Sequence, residues 1–176
     1  IPYIFKAIKY FEANKKTIEA ENLAYAYTAM GYVYAKQGRH KEAIATYKKV
    51  LVCYAEYDRS NYTDYQMGQT HSRMANSYME LKNYSEAVSH SEKALELAKP
   101  MNDKYLTVVD LCRIGLVKME QSKFDEAEKI FNEALALQAP KGTEANEHAF
   151  ISAYLSMAKL YFRKQDWTKA GFYAEK

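Results

Sequence analysis

A short pattern recurs along the chain at helical-unit spacing, and that recurrence restricts the fold more than any other feature. Four segments align on a small residue: Arg39-His-Lys-Glu-Ala43-Ile-Ala-Thr-Tyr47, Asn83-Tyr-Ser-Glu-Ala87-Val-Ser-His-Ser91, Lys123-Phe-Asp-Glu-Ala127-Glu-Lys-Ile-Phe131 and Asp166-Trp-Thr-Lys-Ala170-Gly-Phe-Tyr-Ala174. A fifth copy stands at the start, with Ala7 as anchor and Phe11 four residues on. Successive anchors are 36, 44, 40 and 43 residues apart. Ahead of the last four anchors runs a second pattern: Tyr27-x-x-Met30-Gly31-x-x-Tyr34, His71-x-x-Met74-Ala75-x-x-Tyr78, Leu111-x-x-Ile114-Gly115-x-x-Lys118 and Tyr154-x-x-Met157-Ala158-x-x-Tyr161. Spacing of i, i+3, i+4, i+7 marks one face of an α-helix. A small residue beside a large one lets two such helices approach closely.

Composition agrees. Only 6 glycines and 3 prolines occur in 176 residues, too few to turn a sandwich or barrel. With 48 % hydrophobic residues the chain is not of a disordered class. The net charge of +3 is spread out and forms no basic block, which argues against nucleic acid as a partner. No apolar run approaches the roughly 18 residues of a membrane span, so no membrane partner is expected. The start, Ile1-Pro2-Tyr3, has neither an initiator Met nor a signal-peptide core, and the chain reads as an excerpt of a longer protein. Cys53 and Cys112 are isolated and read as reduced core residues, which points to a reducing, cytoplasmic compartment.

Helices are expected over about 3–14, 18–37, 41–57, 64–82, 86–98, 103–121, 125–138, 145–164 and 167–176, with ends uncertain by two to four residues. Gly38 suits a helix C-terminus. Ser85, Asp125 and Asp166 suit N-caps. The rings before the anchors, Tyr84, Phe124 and Trp167, with His40 in the first copy, are expected between paired helices. His90 is expected on an exposed helix face.

The pattern large-x-x-large-Gly/Ala-x-x-Tyr, then Ala, then an aromatic, resembles the tetratricopeptide repeat (TPR) over essentially the whole chain. The usual 34-residue period is exceeded here, a length similar to extended repeats in bacterial peptide-sensing regulators and sensors. The resemblance implies an all-α fold, a right-handed α-solenoid of antiparallel A and B helices. It divides 1–176 as a single array: 1–16 a partial repeat (helix B), 17–60, 61–101 and 102–142 full repeats, and 143–176 a truncated repeat.

In that family the A helices line a concave groove that takes peptides. The corresponding positions are Tyr25, Thr28, Tyr32 and Lys36; Gln69, Ser72, Arg73, Asn76 and Glu80; Val109, Cys112, Arg113, Leu116 and Glu120; and Ser152, Leu155, Ser156, Lys159 and Arg163. Asn76 could donate to and accept from a peptide backbone. Arg113 could hold a carboxylate bidentately; the alternative is that both are merely solvated. A clamp for a C-terminal carboxylate is matched only in part, because Ser72 and Val109 stand where clamp residues belong. Tyr27, Tyr34, Tyr47, Tyr78, Tyr84, Tyr154 and Tyr161 fall on packing positions, whereas Tyr54, Tyr57, Tyr62 and Tyr65 either cap the core or mark a contact surface.

No phosphate-cradling loop, nucleophile elbow or paired-histidine metal motif occurs, so no enzyme, metal or cofactor is expected. Glu144, Glu147 and His148 read as helix-start residues. Two functions fit the resemblance. One is a scaffold that binds a peptide or protein segment. The other is a peptide- or ligand-sensing segment of a larger signalling or transcription-regulating protein, which could also pair with a second copy of itself.

Overall fold

A computed structural model describes residues 2–14, 20–55, 60–137 and 144–176, and the side chains of 144–148 are outside that description. The expectations for Tyr57 and the side chains of Glu144, Glu147 and His148 therefore fall outside the described residues. The fold is all-α, with no strand among the described residues. The helices are α1 (Pro2–Ala13), α2 (Ala20–Lys36), α3 (His40–Ala55), α4 (Asn61–Glu80), α5 (Tyr84–Ala98), α6 (Lys104–Glu120), α7 (Phe124–Ala136), α8 (Glu144–Arg163) and α9 (Trp167–Ala174), with a 3-10 turn at Lys99–Met101.

Two compact units divide the chain, one over Ile1–Met101 and one over Asn102–Lys176. In the first, α2 pairs with α3 and α4 with α5, while α1 packs on α2 and α3 on α4. In the second, α6 pairs with α7, α8 with α9, and α8 also meets α6 and α7.

Each A-to-B turn has the same backbone. Gly38, Lys82, Ser122 and Gln165 adopt left-handed φ values of 73°, 57°, 60° and 61°. The amide of each bonds three residues back, and the next amide bonds five back, as in Gly38 N to Ala35 O at 3.0 Å and Arg39 N to Tyr34 O at 2.9 Å. This recovers the carbonyls that a helix end leaves unpaired.

The turn also corrects two caps. The next helix starts directly after the left-handed residue, so Asn83 rather than Ser85 caps α5, accepting from the Glu86 amide at 3.4 Å. Lys123 stands at the N-cap of α7 with no side-chain bond, and Asp125 lies inside the first turn. Asp166 caps α9 as expected, accepting from the Lys169 amide at 3.0 Å. The sequence reading omitted two further caps, Ser60 with its reciprocal Thr63 box on α4 and Asp103 on α6.

Anchors Ala43, Ala87 and Ala127 are wholly buried, which is why no larger side chain stands there. The small A-helix residues explain the close approach. A Cβ at Gly31 would lie 2.4 Å from the Tyr47 ring, and one at Gly115 would lie 2.3 Å from the Phe131 ring. Leu23, Tyr27, Met30, Val50 and Tyr54 complete the core around Tyr47 in the first unit. Val108, Val117, Met157 and Leu160 are buried with Phe131 in the second. Trp167 departs from expectation. As the first residue of α9 it is 61 % exposed and meets Phe162 edge-on, with ring centroids 5.2 Å apart.

Candidate functional site

The A-helix positions separate by face. On α2, Tyr27, Met30 and Gly31 turn inward, while Tyr25 and Tyr32, seven residues apart, are 48 % and 54 % exposed. Thr28 is half-buried and Lys36 exposed, with the Lys36 ammonium 5.4 Å from the Tyr32 ring centroid. The Tyr25 hydroxyl bonds that of Tyr62, which donates to Glu21 at 2.5 Å. The carboxylate beside it pushes the Tyr62 phenol well above its ordinary value. This link fixes Tyr25 against the start of α4. Tyr54 is buried beneath it. One tyrosine of the first link thus belongs to the core and another holds a surface ring.

On α4, Arg73 donates to Gln69 at 2.9 Å, and both are half-buried. Asn76 and Glu80 are exposed, whereas Ser72 is buried.

The second unit differs. Arg113 is 8 % exposed and its guanidinium bonds the carboxylate of Asp110 one turn earlier on α6. Asp110 is itself 0 % exposed. Burial pushes Arg113 below its ordinary value and Asp110 opposes the shift. The structure therefore places Arg113 inside the unit, paired with Asp110 of the same helix. Cys112 beside it is buried, which pushes its thiol up to about 11 and leaves it unreactive near neutral pH. Leu116 is half-buried, and Lys159 is exposed. Arg163 crosses from α8 to the end of α6, donating to Glu120 at 2.8 Å and to the Met119 carbonyl at 3.4 Å.

His90 is the clearest correction. It is buried, not exposed, because position 90 of α5 faces α4 rather than solvent. Its Nδ1 lies 2.8 Å from Nδ1 of His71. Thr46, at the same place in α3, is also buried.

A cleft of about 410 Å³ opens between α1, α2 and α3 in the first unit. Its polar groups answer one another: the Tyr27 hydroxyl donates to Glu12, and Lys49 lies 4.9 Å from the Tyr27 ring and 3.9 Å from Glu12. Among the described residues no group of three metal-ligating side chains gathers, and no helix is long and apolar enough to cross a membrane.

Comparison with known proteins bears on the repeat. Tetratricopeptide repeat models match residues 24–51 and 66–139, together more than half of the chain. A type II methyltransferase, M.CeqI of Rhodococcus hoagii, is 31 % identical over 146 residues, which are 81 % of this chain and 26 % of that protein. Peptidyl-prolyl cis-trans isomerase FKBP4 of Bos taurus is 33 % identical over 113 residues, 61 % of this chain and 23 % of that one. The chain thus spans about a quarter of these curated relatives. Among solved structures, aspartyl phosphate phosphatase F from Bacillus subtilis superposes with a TM-score of 0.80 at 24 % identity, covering 98 % of this chain and 43 % of that one. A Podosopora anserina kinesin light chain-like repeat protein gives 0.70 at 17 %, covering 98 % and 84 %. Recurrent helix pairs, identical turns and matching repeat models agree: the chain belongs to the tetratricopeptide repeat family.

Proposed function

We propose that the chain is a non-catalytic scaffold that binds a peptide or protein segment on the exposed faces of its A helices, without a cofactor. The observation that carries this reading is the pair Tyr25 and Tyr32, two large rings left in solvent on one face of α2. Rings held in place give up little freedom on binding and supply large contact area. Tyr25 is held by Tyr62, and Tyr32 lies under Lys36. Thr28, Gln69, Arg73, Asn76 and Glu80 supply the polar part of this face, and Asn76 is the candidate for backbone capture. Leu116, Lys159 and Arg163 are the corresponding candidates in the second unit. Arg113 contributes only if it leaves Asp110.

The test is a peptide array read with the wild type, a Tyr25→Ala/Tyr32→Ala double variant and Asn76→Ala. Loss of the two rings is expected to weaken binding by tenfold or more, about 1.4 kcal/mol per decade, with an unchanged melting temperature. Full binding by both variants, each still folded, would remove this face from consideration.

A second reading makes the chain the sensing segment of a larger regulatory protein, active alone or paired with a second copy. It is supported by the similarity to aspartyl phosphate phosphatase F, a chain more than twice the length covered here. Two buried cysteines suit a cytoplasmic setting for either reading.

A further inference from the structure

Three rings meet where α4 and α5 pack: His71, Tyr78 and His90. Tyr78 stacks on His90 with centroids 5.3 Å apart and planes 17° from parallel, and His71 lies 5.0 Å from His90. Both histidines are 8 % exposed. The chain contains its own comparison. At the equivalent places of α8 and α9 stand Tyr154, Tyr161 and Tyr173, with Tyr161 stacked on Tyr173 at 5.5 Å and Tyr154 at 6.5 Å. One hairpin thus builds its ring stack from three phenols, and the other substitutes two imidazoles, a group whose unperturbed titration lies near 6.5.

The Nδ1 to Nδ1 distance of 2.8 Å is a hydrogen bond, and it has a proton count. One ring must donate from Nδ1–H and the other must accept on a bare Nδ1. One proton fits between them. A second would set two N–H groups against each other, and full protonation of both rings would put two positive charges in a buried space.

We propose that His71 and His90 form a proton-operated latch, which holds the α4–α5 hairpin closed while one proton lies between the two Nδ1 atoms and releases it when both rings are protonated. The surroundings favour release. Lys93 of α5 and Lys48 of α3 add positive charge, Tyr78 of α4 adds none, and Glu86 of α5 opposes them from 3.9 Å off the far nitrogen of His90. Burial first, then His90 and Lys93, pushes His71 down to about 4, and His90 shifts the same way. The folded values lie below the unfolded value of 6.5, so the unfolded chain binds more protons between them. The stabilisation is complete above pH 6.5 and is lost as pH falls toward 4. At tenfold per pH unit, His71 alone changes the unfolding equilibrium by roughly 300-fold over that window.

The experiment is chemical denaturation of the 176-residue chain from pH 7.5 to 4 beside a His71→Tyr/His90→Tyr variant, which copies the stack of α8 and α9. The unfolding equilibrium constant of the wild type is expected to rise at least 100-fold more across the range than that of the variant. Equal pH slopes would overturn the proposal. Imidazole nitrogen NMR of the wild type gives an answer that does not depend on the variant folding. One Nδ1–H and one Nε2–H tautomer are expected to persist below pH 5.5, and titration of both rings near 6.5 would also overturn it.

Discussion

Arg113→Ala is expected to lower the unfolding free energy of the second unit by about 3–5 kcal/mol, the usual consequence of removing one partner of a buried ion pair. Asp110 has no exposed surface, and its carboxylate bonds the Arg113 guanidinium from one turn away. Truncating the arginine removes the counter-charge of that buried carboxylate. The loss is far beyond the 0–1 kcal/mol of an exposed pair. Replacing both residues by apolar ones of similar volume, Asp110→Leu with Arg113→Met, is expected to recover most of the loss. Denaturant titration of the three variants checks both statements. A loss below 1 kcal/mol for Arg113→Ala would show that the guanidinium is solvated and available to a ligand. The expected result makes Arg113→Ala unsuitable as a binding control, since any lost affinity would follow from lost structure.

The second large effect concerns Gly115 and Phe131. Helix propensity alone favours Gly115→Ala by about 1 kcal/mol. Packing opposes it, because the new Cβ would lie 2.3 Å from a carbon of the wholly buried Phe131 ring. Overpacking typically costs about 1–3 kcal/mol, so the net expectation is destabilisation of up to about 2 kcal/mol. Phe131→Ala is expected to cost about 3–5 kcal/mol through the cavity it leaves. The double variant should lose less than the two singles added, because the methyl then enters space the ring vacated. Strict additivity in such a cycle would refute the steric account. The chain has made this exchange itself. Gly31 and Gly115 have rings sixteen residues on, Tyr47 and Phe131, whereas Ala75 and Ala158 have Ser91 and Ala174.

That pairing was readable in the sequence and shows why some of the structure was legible. Helix positions followed from a one-dimensional period, and every helix lies within a few residues of its expected bounds. Contacts across a hairpin need a second index, the fixed offset between facing positions. Without it His90 reads as a surface residue and Trp167 as a packed one. Two of the three expected caps failed for a related reason. Ser85 and Asp125 are good capping residues, but the left-handed turn had already started the helix ahead of them. Arg113 illustrates the limit for the candidate site. Position in the repeat assigned it to the groove, and Asp110 three residues earlier was the sign that it would turn inward.

The four identical turns bear on how such a chain can change length. From the small A-helix residue to the left-handed residue is seven positions in every copy, as Gly31 to Gly38 and Ala75 to Lys82. From there to the anchor alanine is five more, as Ser122 to Ala127 and Gln165 to Ala170. The uneven spacing of the anchors therefore arises wholly outside the hairpin, in the distal part of each B helix, the link that follows and the first part of the next A helix. Three of the four turns keep the left-handed geometry without glycine, at a local cost of about 1–2 kcal/mol each. The hairpin thus behaves as a cassette of fixed register, intolerant of a single inserted residue, while the segments between cassettes absorb insertions and deletions.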